Sequence, residues 1–143
     1  MCSSDLAFVF QFFHLLPTLT VLENVCLPAL QKKSKTPQKI LADAKQMLIQ
    51  LGLGEAWHKL PSQLSGGMLA RSGLARALLT EPDILFADEP TGSLDSSTGK
   101  TILSLLQQEQ KRLGFTFVLV THDAHAATMA QRILKMQDGV LLT

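Results

Sequence analysis

Two carboxylates side by side at the end of an apolar run, Asp88 and Glu89 in ILFADEP, are the side chains of this sequence best suited to chemistry. At the tip of a buried strand one can hold a hydrated Mg²⁺ while the other, on the opposite side, orients a water as general base. An acidic strand end that merely reaches solvent is the competing reading. A second apolar run, FTFVLV, ends in Thr121-His122-Asp123, and a histidine at a neighbouring strand tip can donate a hydrogen bond to a phosphate oxygen. The alternatives are a surface or helix-capping histidine, and a zinc site on His122 and His125 for which no further Cys or His lies nearby. The third group is Leu64-Ser65-Gly66-Gly67-Met68. There Ser65 can cap a helix while Gly66 and Gly67 let backbone N–H groups approach a phosphate at the positive helix end. The same tripeptide also makes an ordinary loop.

These groups can meet only if the chain brings several strand ends together. DILFAD and FTFVLV are short continuous apolar runs separated by a helical stretch from about Ser96 to Leu113, the strand, crossover helix, strand pattern of a parallel sheet. An earlier run, AFVFQFF, reads as a buried strand reaching Gln11. Thr20 to Lys33 has helical composition interrupted by Pro28, and Lys32 to Lys39 is a polar linker. Thr36 then caps a helix with Pro37 at its first position, in which Ile40, Leu41, Ala44, Met47, Leu48 and Leu51 form one buried face before Gly52. Residues 52–65 are loop-rich, and Gly66 to Leu79 is a further helix. Asp123 to Ala130 can form a short helix before edge strands RILKM and VLLT, turned by Asp138-Gly139. The expected fold class is α/β. A mainly parallel sheet is flanked by helices, with a helical subdomain (about 12–80) inserted after the first strand and the catalytic-core remainder at 81–143.

With 143 residues, 46% hydrophobic and 17% charged, the chain can bury one core and is not a mainly disordered one. Its net charge of +1 excludes the basic field that holds nucleic acid. Cys2 and Cys26 make no disulfide framework, which suits a reducing compartment. The apolar stretch Ala7 to Leu22 is broken by Gln11, His14, Pro17, Thr18 and Thr20, so it lacks the roughly 20 clean apolar residues of a spanning helix. A buried strand so close to the start implies that the native start is missing. Residues 1–6, whose Cys2-Ser3-Ser4-Asp5-Leu6 resembles a translated sequencing adapter, are expected to be a non-native leader.

In this order Gln11 after an apolar strand, LSGGM, ILFADEPTGSLD and LVTHD resemble the ATP-binding cassette (ABC) ATPases, over nearly the whole chain from about Phe8. FVFQFFHLLPTLTVLENVCLPAL and DEPTGSLD are most similar to the cassette subunits of lipoprotein-releasing and macrolide-export type bacterial transporters. The resemblance implies a P-loop NTPase-like fold with ATP and Mg²⁺ as ligands. Gln11 matches the Q-loop glutamine that touches Mg²⁺ and the attacking water, Asp88 the Walker B aspartate on Mg²⁺, and Glu89 the catalytic base. His122 matches the switch histidine at the γ-phosphate, and Asp95 the D-loop aspartate at the dimer interface. Ser65, Gly66 and Gly67 match the signature loop, which caps ATP held by the facing protomer of a homodimer. Positioning and charge neutralisation then supply most of the rate. Also implied are an integral membrane permease docking near Gln11 to Leu16 and a peripheral place on the cytoplasmic face of the bacterial inner membrane. Phe12, Phe13, Leu15 and Leu16 are accordingly expected to divide between core and an exposed groove.

The sequence departs from the family pattern in two places. No G-x-x-x-x-G-K-[ST] occurs in the chain. The nearest string, LDSSTGKT, has Leu94 where the first Gly belongs and overlaps the D-loop, so Lys100 reads as a solvated residue near a helix start, with a degenerate phosphate loop as the alternative. Because that loop precedes the Q-loop in the family, the chain is expected to be a C-terminal part of a cassette, without the first strands and the phosphate loop. Secondly, Met68, Leu69 and Ala70 stand where relatives carry polar residues, and Met68 either packs on a neighbouring element or alters ATP capping. Gly73 within the same helix costs about 1 kcal/mol relative to Ala. Two other functions compete: a cassette ATPase of DNA repair or chromosome maintenance, without the coiled coils or basic surfaces those bring, and a non-catalytic scaffold that binds a permease. The 143-residue chain is expected to show no high-affinity ATP binding by calorimetry. Micromolar binding abolished by Lys100→Ala would instead make LDSSTGKT a phosphate loop.

Overall fold

A computed structural model describes residues 5–32 and 34–142. Its centre is a sheet of three parallel strands in the order β1 (Leu6–Phe10), β2 (Ile84–Asp88) and β3 (Thr116–Val120). The ladder pairs Phe10 with Asp88 and Asp88 with Val120, so all three strands end level with one another. Ala7, Val9, Leu85 and Ala87 point into the core, while Leu6, Phe8 and Phe10 alternate with them on the more open face. On that face the Phe8 ring stacks on Phe86, with centroids 5.3 Å apart.

Three helices, α1 (Val21–Lys32), α2 (Pro37–Gln50) and α3 (Gly66–Leu78), lie between β1 and β2 in sequence, and α4 (Ser96–Leu113) is the crossover from β2 to β3. A single turn, α5 (Ala124–Ala127), follows β3. Val21, Val25, Leu48, Leu74, Leu78, Leu85 and Leu106 are fully buried and join the helices to the sheet. α1 opens on a reciprocal cap: the Thr20 N–H donates to Glu23 Oε2 at 2.7 Å and the Glu23 N–H to Thr20 Oγ1 at 3.3 Å. α2 starts as expected, with Thr36 Oγ1 accepting from the Lys39 N–H at 3.3 Å, and the chain leaves it at Gly52, where φ is +74°. No helix among the described residues is long and apolar enough to cross a membrane.

Three sequence expectations need correction. Pro28 does not interrupt α1: the helix runs through it. The proline withholds one N–H from the carbonyl of Asn24, but Val25, Cys26 and Ala29 are buried against the neighbouring helices and hold the turn. Leu41, 42% exposed, drops out of the buried face of α2, because it lies about 100° round the helix from Ile40, at the edge of the apolar stripe. The segments RILKM and VLLT pair through the expected Asp138-Gly139 turn, but they stand apart from the parallel sheet and do not edge it. They form their own antiparallel pair, β4 (Lys135–Gln137) and β5 (Val140–Leu142), wholly exposed. Asp138 and Gly139, at φ +48° and +78°, give the tight turn whose twist suits local pairing. Of the expected leader, residues 1–4 lie outside the described residues. The Asp5 carbonyl accepts from the Asp83 N–H at 2.8 Å, its carboxylate pairs with Lys32 at 2.7 Å, and Leu6 opens β1.

Met68 is partly buried against the core, which favours its packing role. Gly73 has a reason to be where it is. A Cβ there would lie 3.1 Å from both Cβ and Cδ1 of Phe13, a side chain only 5% exposed. Because Phe13 is enclosed and cannot retreat, Gly73→Ala is expected to lower stability by about 1 kcal/mol in urea denaturation, despite the better helix propensity of Ala. A gain in stability would show that Phe13 repacks freely.

Candidate functional site

The level strand ends place Gln11, Glu89 and Thr121 next to one another, each the first residue past its strand. Gln11 is tied to the loop after β2: its carbonyl accepts from Ser93 Oγ at 3.0 Å. Its side-chain amide lies over Gly92, where a Cβ would come within 2.9 Å of Nε2, so no larger residue fits at 92 without moving it. The Gly92 N–H donates to the Glu89 carbonyl at 3.0 Å and closes the turn Glu89-Pro90-Thr91-Gly92.

Asp88 ends β2 with its side chain exposed. The Glu89 N–H still donates to the Val120 carbonyl at 2.9 Å, but the backbone turns left-handed, with φ +46°. That conformation costs a non-glycine residue about 1–2 kcal/mol. The Glu89 carboxylate is bound to the end of β3. Oε1 accepts from the His122 N–H at 2.7 Å and lies 2.6 Å from His122 Nδ1, and Oε2 accepts from Thr121 Oγ1 at 3.3 Å. Its side chain is 22% exposed against 86% for His122, so the histidine ring remains open to solvent beyond the contact.

Four predicted groups, Gln11, Asp88, Glu89 and His122, are thus assembled at one sheet edge. Ser65 and Asp95 serve as helix caps: Ser65 Oγ accepts from the Met68 N–H at 3.3 Å, and Asp95 accepts from the Thr98 N–H at 3.0 Å and from Ser97 Oγ at 2.6 Å. Those hydrogen bonds, the serine hydroxyl's foremost, hold the Asp95 carboxyl well below the usual carboxylate range. The two glycines after Ser65 have a packing role that their sequence did not announce. A Cβ on Gly66 would lie 3.2 Å from Leu94 Cδ2, and one on Gly67 2.9 Å from Thr98 Cγ2, so they let the start of α3 press against the start of α4. Among the described residues no hydrogen bond joins Ser65, Gly66 or Gly67 to Gln11, Asp88, Glu89 or His122.

The Asp88 carboxylate and the Gln11 amide oxygen are hard oxygen donors on adjacent strand ends. They suit Mg²⁺, which typically takes one or two protein ligands and completes its shell with phosphate and water. Among the described residues no group of three His, Cys, Asp or Glu could hold a metal, so His122 and His125 do not make a zinc site. Nor is LDSSTGKT a loop: from Ser96 it is the first turns of α4, with Lys100 exposed.

Two organising side chains escaped the sequence reading. Asn24, buried on α1, accepts from the Leu16 N–H at 2.7 Å, and its amide nitrogen lies 3.0–3.1 Å from the carbonyls of Leu16, Leu19 and Thr20. Arg76, half-buried on α3, donates to the carbonyls of His14, at 2.9 Å, and Phe13. Desolvation pulls the pKa of Arg76 down from its ordinary value. The available signals were an Asn on the apolar stripe of α1 and a lone Arg among Ala and Leu. Between these anchors Phe13 is buried while Phe12 and Leu16 are exposed.

A family model described as ABC transporter matches residues 2–92. This chain belongs to the ABC transporter family. It is 46% identical over 140 residues to the lipoprotein-releasing system ATP-binding protein LolD of Shewanella denitrificans, covering 97% of this chain and 59% of that protein. It is 44% identical over 141 residues to the macrolide export ATP-binding/permease protein MacB of Aggregatibacter actinomycetemcomitans, covering 99% of this chain and 22% of that protein. Among solved structures the dimeric ATP-binding cassette MJ0796, in a post-hydrolysis state bound to ADP and Pi, matches with a TM-score of 0.82 and 40% identity, over 95% of this chain and 60% of that one. The ABC chain therefore spans about three-fifths of the length of its LolD relatives.

In this ABC chain the depressed pKa of Asp95 makes a stabilising contribution that is present above the unfolded-state value, about 4, and lost as pH falls through the folded-state value. Asp95→Asn is expected to flatten the acid limb of stability, followed by urea midpoints from neutral pH to about 2. An unchanged acid limb would remove Asp95 as its source.

Proposed function

We propose that this chain is the ATP-binding and ATP-hydrolysing part of an ABC transporter subunit that powers export or lipoprotein release through a membrane permease. The observation that carries the reading is the gathering of Gln11, Asp88, Glu89 and His122 at the level ends of three parallel strands. Asp88, with the Gln11 amide oxygen, holds Mg²⁺, which when bound neutralises charge on the nucleotide phosphates. Glu89 accepts the proton of the attacking water, and its carboxylate is oriented for that task by Thr121 and His122. The exposed His122 ring meets the γ-phosphate. The N–H groups at the start of α3, behind Ser65, Gly66 and Gly67, cap the nucleotide of a second cassette, and Asp95 lies at that homodimer interface. Phe12 and Leu16, exposed beside Gln11, receive the permease, with the cassette peripheral on the cytoplasmic face of the membrane.

The roles for which these relatives are named, lipoprotein release and macrolide export, support a transporter over a DNA-repair ATPase. A dimeric cassette holding ADP and Pi supports the two-protomer reading. None of the 143 residues supplies the glycine-rich phosphate grip, so this chain's share of the site is the magnesium-holding, water-orienting and capping groups.

A chimera joining the N-terminal part of the Shewanella relative to residues 7–143 is expected to hydrolyse ATP. Glu89→Gln should lower its kcat by about 10²- to 10⁴-fold with ATP binding retained. Undiminished kcat in that variant would sink the reading. In the same chimera Phe12→Glu is expected to leave hydrolysis intact and abolish capture by the permease in a pull-down; unchanged capture would move the docking site elsewhere.

A further inference from the structure

We propose that Arg76 is a positioning residue for Gln11, fixing the loop that carries this glutamine to helix α3, so that one rigid element sets both Gln11 and the Ser65–Gly67 helix start. The inference rests on the functional reading above for its catalytic meaning, but its structural basis is independent of nucleotide.

Two residues after Gln11 the backbone adopts an uncommon conformation twice in succession: Phe13 has φ +55° and His14 φ +44°. Consecutive non-glycine residues in the left-handed region persist only where the surroundings over-determine them. The surroundings here are one face of α3. The Phe13 side chain fits against Gly73, where a Cβ would come within 3.1 Å, and one turn further on the Arg76 guanidinium donates Nη1–H to the His14 carbonyl at 2.9 Å and Nη2–H to the Phe13 carbonyl. A planar fork with two parallel donors fits two adjacent carbonyls, which a lysine ammonium does not do. Both bonds have a charged donor, and the one to Phe13 is part-buried, where water competes less than at the exposed bond to His14. On its other side Gln11 is tied by Ser93 Oγ to its own carbonyl, so the residue is held between the β2–α4 loop and α3. α3 begins at Gly66, and the ten residues from there to Arg76 span about 15 Å of helix. Any rotation of α3 must therefore carry the loop behind Gln11 with it.

Amide hydrogen exchange by NMR on the 143-residue chain tests the assignment. The Phe13 and His14 amides are both hydrogen-bonded within the turn, to the carbonyls of Phe10 at 3.0 Å and Phe12 at 2.6 Å. Arg76→Lys is expected to speed their exchange about tenfold and Arg76→Met further, with α3 and β2 amides unchanged. The Gln11 side-chain amide signal should shift in step, while that of Gln63, engaged in its own cap with Leu60, stays in place. Arg76→Lys keeps the charge and the aliphatic stem, so it reports on the loop even where Arg76→Met fails to fold. Unchanged exchange at Phe13 and His14 in the lysine variant would overturn the proposal, as would loosening of α3 and β2 by the same factor. No nucleotide enters the measurement, so its failure is distinct from failure of the ATPase reading, which the Glu89→Gln chimera tests alone.

Discussion

Parallel pairing that sets Phe10, Asp88 and Val120 in one row governs where Gln11, Asp88, Glu89 and His122 can be. Parallel strands all present their carboxyl ends at the same edge, and residues one step beyond a common row must be neighbours. Gln11, Glu89 and Thr121 occupy that step. A slip of one residue in either ladder would send the alternating apolar set of β2 to the wrong face, so burial of Leu85 and Ala87 also enforces the position of the carboxylates. The same packing that makes the core stable therefore makes the site accurate.

The helices between β1 and β2 extend that constraint outward. α3 meets the loop after Gln11 through Gly73 and Arg76, and meets the beginning of α4 through Gly66 and Gly67. α1 holds the far end of the same loop through Asn24. The segment from Phe12 to Thr20, without regular structure of its own, is thus fixed by side chains from two helices. It keeps Phe13 inside while leaving Phe12 and Leu16 on the surface. Backbone that is strained and irregular here is held by charged and polar groups, whereas the sheet is held by apolar burial.

Much of this was legible along the chain because its signals are local. Thr36 and Pro37 announce the start of α2, Asp138-Gly139 the hairpin turn, and an uninterrupted apolar run followed by Asp88-Glu89 a strand with a polar tip. Where the reading failed, a nonlocal packing term or a choice of pairing partner decided the matter. Pro28 sits in a helix that burial keeps intact, and Leu41 falls at a stripe edge that only the neighbouring helices define. RILKM and VLLT form the hairpin that Asp138-Gly139 announces, but as a two-stranded sheet separate from the parallel one.

The sequence by itself determined the chemical inventory: the carboxylate pair, the glutamine, the histidine, the capping serine and aspartate, and the absence of a glycine-rich phosphate grip. These are facts of residue type and order, and the α/β alternation follows from periodicity that each segment carries alone. Only the tertiary structure decided that the Glu89 carboxylate lies on His122 and Thr121, that Gly66, Gly67 and Gly73 are places where other elements approach, and that Asn24 and Arg76 hold the Gln11 loop. Apart from the bonds of Asn24, which reach 4 to 8 residues, each of these joins groups from 28 to 63 residues apart in sequence. Contacts of that kind arise when a core closes around side chains of particular volume, and no window of neighbouring residues records which distant atoms will fill the space.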